Sequence, residues 1–115
     1  MIILSDYRGK TSAEGPILSL VTTKFYFDLV RFGHKKAEYR DASREHNHHR
    51  FRIGMPHRVL MLHYRREEKM WLEIEMITLE PRSEAMRDVS HLSGSDFVFA
   101  VHVGNVIRYE GMKSK

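Results

Sequence analysis

The chain has 115 residues, enough for one hydrophobic core but too few for two independent ones, and its 42% hydrophobic and 30% charged residues are the proportions of a folded domain rather than of a disordered chain. No apolar run approaches the roughly 20 residues needed to cross a bilayer, residues 1–4 are too short an apolar stretch for a secretory signal, and the lack of cysteine removes disulfides and thiolate metal sites, so a cytoplasmic location without membrane contact is expected. The formal net charge of +4 is uneven: residues 31–69 hold eleven Lys or Arg against five Asp or Glu, a balance of +6 that leaves −2 elsewhere and favours a polyanionic partner.

Residues 1–15 mix polar positions with Gly9 and Gly15 and show no sustained period, which leaves either an N-terminal arm or a short edge segment. Ile17 to Val21 is short, apolar and partly β-branched after Pro16, and reads as a buried strand. Thr22 or Thr23 can cap a following helix, whose apolar face is expected to be Phe25, Leu29 and Phe32, with Gly33 as its stop. Beyond it, strand alternation puts Lys36, Glu38 and Arg40 on one face and Lys35, Ala37 and Tyr39 on the other. Residues 41–56 are polar and rich in Arg and His, and form a loop.

Arg58 to Tyr64 and Met70 to Leu79 then read as a β-hairpin joined by the charged residues 65–69. In its second strand Leu72, Ile74 and Met76 face one way, while Trp71, Glu73, Glu75 and Ile77 face the other. Met86, Val89 and Leu92 recur every three residues within the polar stretch 81–95, which predicts a short helix before Gly94. Phe97 to Val103 alternates as a strand, and Val106 to Tyr109 is expected as a separate last strand after a Gly104-Asn105 turn, leaving residues 111–115 to fray. Five or six strands with a short helix between the first two make an α+β fold, a curved sheet or small barrel over residues 16–110.

The order Lys24-Phe25-Tyr26-Phe27-Asp28-Leu29-Val30, Gly33-His34-Lys35-Lys36 and Glu38-Tyr39-Arg40 resembles the signature of ASCH domains, over roughly residues 17–106. That resemblance implies a PUA-like β-barrel and a cleft in which the helix start, the Gly-x-Lys turn and the Glu and Arg side chains meet RNA or a nucleotide. The residue types suit such a partner. Lys24 would add its charge to a helix N-terminus, Lys35 and Lys36 sit beside a glycine that lets a phosphate approach, Glu38 can accept from a base edge, and Arg40 can fork to phosphate or base. Residues 43–52, with Arg50 and Arg52, would line the rim. Tyr26, Tyr39, Tyr64 and Trp71 are candidates for base stacking, although most are expected in the core; Trp71, beside Glu73 and Glu75, is expected to be the most open of them, with a packed barrel position still the favoured reading.

An RNA or single-stranded nucleic-acid binder is therefore the leading expectation, and a hydrolase acting on RNA or an acylated nucleoside is the alternative. The resemblance extends to an acetylcytidine amidohydrolase in which a Lys after the Gly turn acts with a hydroxyl residue three positions on. Lys35 stands at the Lys position and Glu38 at the hydroxyl position, so these two would be the catalytic pair. His46, His48 and His49 cluster, but no cysteine or i, i+4 helical spacing completes a metal site, and neither metal nor cofactor is expected. A protein partner is a third reading, which would require Met55, Met61 or Met86 to lie outside the core.

Overall fold

The computed structural model describes residues 1–10, 14–42, 49–51, 53–54, 56–65, 67–82 and 96–111. Among these are strands β1 (Ile2–Asp6) and β2 (Ile17–Thr22), helix α1 (Lys24–Arg31), and strands β3 (Ala37–Asp41), β4 (Val59–Tyr64), β5 (Glu68–Pro81) and β6 (Phe97–Glu110). They form a curled half-barrel sheet with one short helix. The strand order is β2-β4-β5-β6-β3, with β1 added beside β5. All pairings are antiparallel except β2 with β4, where α1 and β3 supply the long crossover that a parallel pair requires. The expected short helix at Met86, Val89 and Leu92, the positions His46, His48 and Arg52, and residues 112–115 lie outside the described residues.

Because Ile2–Asp6 is itself a strand on β5, α1 lies between the second and third strands rather than between the first two. Thr23 is the N-cap and accepts a hydrogen bond from the Tyr26 N–H at 3.4 Å, and Gly33, at φ +79°, takes the left-handed conformation just past the helix. The buried helical face differs from the expected one: Phe27 and Val30 enter the core, whereas Phe25 is 66% and Phe32 61% exposed. Both apolar sets have helical spacing, and only docking chooses between them.

The core lies inside the curl: Leu18 and Leu20 from β2, Leu60 and Leu62 from β4, Met70, Leu72, Ile74 and Ile77 from β5, and Phe99, Val101 and Val103 from β6. β2 is an edge strand with alternating burial, not a strand buried on both faces, since Ile17, Ser19 and Val21 are exposed. β5 switches faces midway. Register shifts between Leu72 and Met76 carry Ile77 to the core beside Ile74 and turn Met76 away, so simple alternation fails beyond Ile74. β6 runs unbroken through Gly104 and Asn105 instead of turning there, paired with an equally long β5. A Cβ at Gly104 would make ordinary contact, at 3.4 Å, with the Glu73 and Glu75 side chains.

Candidate functional site

The Gly33 turn decides where the two lysines after it go. The N–H groups of His34 and Lys35 both donate to the Leu29 carbonyl, at 2.9 and 3.0 Å, which wraps the chain against the end of α1 before β3 begins at Ala37. Strand alternation therefore does not extend back to residue 35. Lys35 points inward and lies on the same side as Glu38, while Lys36 is exposed. Register places Glu38 opposite Val101 and Arg40 opposite Phe99, so both acquire the core-facing side of β3.

The result is a buried charge triad. Lys35 Nζ is 3.7 Å from Glu38 Oε1 and Arg40 Nη1 is 3.0 Å from Glu38 Oε2, with the Glu38 side chain 2% exposed. Arg40 also donates to the backbone carbonyls of Tyr39 and Val21, each at 2.7 Å, and so ties the β3 edge to the end of β2. The Lys35 ammonium lies 4.3 Å from the Tyr26 ring centroid and 5.4 Å from that of Tyr39. Among the described residues Glu38 Oε1 is buried without a hydrogen bond, since Lys35 is in ion-pair range but beyond hydrogen-bond reach. A carboxylate so placed is tolerable only because two cations flank it.

Lys24 belongs to a different network. It pairs with Glu68 and, at 3.2 Å, with Asp28, while Glu68 also accepts from the Tyr109 hydroxyl at 2.6 Å and faces Arg31 at 3.6 Å. Arg31 in turn stacks on Tyr109, 3.8 Å from its centroid. The Lys24 ammonium and then the Tyr109 hydroxyl hold the Glu68 carboxyl below its ordinary value, and Glu68 raises the values of both partners. This network clamps α1 to the β4–β5 hairpin and the end of β6. Sequence reading missed Glu68, Tyr109 and Arg31 because their partners are remote in sequence, 44 positions from Lys24 to Glu68 and 41 from Glu68 to Tyr109.

Trp71 is half-buried on the outer face of the sheet, where register aligns Ser19, Met61, Trp71 and Arg108 in a row across β2, β4, β5 and β6. The Arg108 guanidinium, pairing with Glu110, sits 4.8 Å from the Trp71 ring centroid. The neighbouring row carries Val21, His63 and Lys69, and at the hairpin tip Arg65 stacks on Tyr64 at 5.5 Å. Arg65 takes φ +53°, the left-handed conformation of a tight turn. Arg50 is exposed on the segment before Phe51, as is His49.

Elsewhere, Thr78, Glu80 and His102 form a polar cluster: His102 Nε2 is 2.9 Å from Glu80 Oε2 and 2.9 Å from Thr78 Oγ1, and the Thr78 hydroxyl donates to Glu80. Thr78 is completely buried, so no substrate reaches its hydroxyl, and the cluster acts as internal bracing. Among the described residues no group of three or more metal-ligating side chains converges, and no helix is long and apolar enough to cross a membrane.

The structure thus brings Lys35, Glu38 and Arg40 together, assigns Lys24 to the clamp, leaves Lys36 and Arg50 in solvent, and puts Trp71 on the outer face. No family model, curated protein or solved structure matches the chain.

Proposed function

We propose that the chain binds RNA or single-stranded nucleic acid on the outer face of its sheet, with Trp71 as stacking platform and Arg108, Lys69, His63 and Arg65 around it. The observation that supports this is the row Ser19-Met61-Trp71-Arg108: a partly open indole with a guanidinium over its ring, on the outer face of the sheet. Single strands present π faces and phosphates together, which an indole bordered by guanidinium and ammonium groups complements. The same reading takes the curled sheet as an ASCH-like, PUA-like barrel, on the strength of the α1, Gly33 turn and Glu38-Tyr39-Arg40 order. In it, the expected cleft residues Lys35, Glu38 and Arg40 organise the β3 edge, and Lys36 and Arg50 extend the basic surface.

A second reading, hydrolysis of RNA or an acylated nucleoside, is favoured by the buried Glu38 Oε1 beside Lys35. One experiment separates the two. Fluorescence anisotropy with a labelled uridine-rich 12-mer is expected to show Trp71→Ala weakened by about 1 to 3 kcal/mol and Lys35→Arg nearly unchanged. Wild-type turnover of RNA or an acylated nucleoside that Lys35→Arg abolishes at unchanged affinity would replace the binding reading with the enzymatic one.

A further inference from the structure

Two residues beyond Trp71 on the same face of β5, about 7 Å along the strand, Glu73 enters the wall of a pocket of about 80 Å³ that Tyr7, Lys10, Arg58 and Glu75 also line. Arg58 is fixed there by its backbone. Its N–H donates to the Pro16 carbonyl at 3.3 Å and its carbonyl accepts from the Ile74 N–H at 2.9 Å. Its stem lies along Gly15, where an added Cβ would come within 3.2 Å of the Arg58 Cβ. Yet among the described residues the Nε of the guanidinium so positioned is buried and left without an acceptor. Among them the guanidinium also forms no ion pair, only a contact with the Tyr7 ring at 5.8 Å.

The other groups of the wall do not meet that need. The two acceptors of the wall are carboxylates: Glu73 Oε1 accepts from the Asn105 N–H at 3.2 Å, and among the described residues neither Glu73 nor Glu75 pairs with Arg58; of the other cations, Arg8 is engaged by Asp6 at 2.6 Å and Lys10 makes no ion pair. A buried guanidinium N–H without an acceptor costs desolvation energy that a ligand oxygen would recover. We propose that this pocket is a subsite for a singly charged oxyanion of the phosphodiester class, held by Arg58 and Lys10. The volume is several times the roughly 10–15 Å³ needed for one water and well below the roughly 300–1,000 Å³ of a site for a whole small molecule, so it takes a group rather than a base. Glu73 and Glu75 set the charge: they offset part of the cationic field and disfavour a dianion. That the group comes from a bound strand rests on the nucleic-acid reading, whereas the anion chemistry itself does not.

The test is an amide-resolved NMR titration of the full chain with dimethyl phosphate, inorganic phosphate and hexauridylate. Dimethyl phosphate is expected to shift Gly9, Lys10 and Glu75 saturably, more strongly than dianionic phosphate does. Arg58→Gln should abolish the shift, and Lys10→Gln, at an exposed position that does not threaten folding, should weaken it several-fold. Trp71→Ala should leave it intact. No saturable shift, or one unchanged in Lys10→Gln and Arg58→Gln, overturns the proposal. Hexauridylate binding equally to wild type and Arg58→Gln would overturn the strand as the source of the group and leave the Trp71 platform standing, with the dimethyl phosphate result alone deciding for or against the pocket. Dimethyl phosphate binding without any hexauridylate binding would support the pocket as a small-oxyanion site and remove the nucleic-acid reading.

Discussion

Glu38 shows how a residue type that reads as functional acquires a structural duty. Its side chain is enclosed between Lys35 and Arg40, so Glu38→Gln removes the charge that both cations need. Breaking a buried pair from one side typically costs about 3–5 kcal/mol, and urea denaturation should show a loss of that order. Simultaneous replacement of Lys35, Glu38 and Arg40 by apolar residues of similar volume should cost much less. Glu68 makes a separate, pH-dependent contribution. Its folded value is depressed by Lys24 and Tyr109, so the stability it adds is complete above its ordinary value of 4.5 and is lost as pH falls from there through the folded value. Thermal denaturation between pH 7 and 3 should show that loss, and Glu68→Gln should flatten this part of the profile. An unchanged profile in the variant would remove Glu68 from the clamp.

At the level of elements, α1 offers the clearest test of which apolar face docks. Phe27 is fully buried and Phe25 is mostly in solvent, so Phe27→Ala should destabilise by about 3–5 kcal/mol and Phe25→Ala by no more than about 0.5 kcal/mol in the same denaturation assay. Thr23→Ala should cost about 1 kcal/mol through loss of the cap. The helix and its ends were legible in the sequence because capping and the Gly33 stop are local. Its buried face was not, since Phe25, Leu29 and Phe32 satisfy the same period as Phe27 and Val30. The hairpin of β4 and β5 was likewise legible from two β-rich runs around a charged turn. The face switch of β5 and the continuity of β6 through Gly104 were not, because register shifts and continuous pairing are properties of a strand pair rather than of either strand alone. The first strand was legible only as one of two alternatives, an arm or an edge strand, for a related reason: Ile2–Asp6 has no strong alternation of its own and is specified by β5.

For the whole molecule, the basic centre of the sequence divides into separate surfaces when folded. Lys35 and Arg40 turn inward onto Glu38, whereas Arg58 lines the pocket with Lys10, and Lys36 and Arg50 stay in solvent; outside that centre, Lys24 turns onto Glu68 and Arg108 sits over Trp71. Composition could announce a polyanionic partner, but only strand register could say which cations share a face. Trp71 is the sole tryptophan of the chain, so its fluorescence reports the proposed platform directly. The decisive measurement is a titration of the chain with oligouridylate, followed by Trp71 emission at several salt concentrations. The account predicts saturable quenching whose affinity falls with salt, with a log–log slope of about −0.7 per phosphate neutralised, and a smaller slope in Arg108→Gln. Emission that does not change on adding the oligonucleotide, or an affinity indifferent to salt, would contradict it.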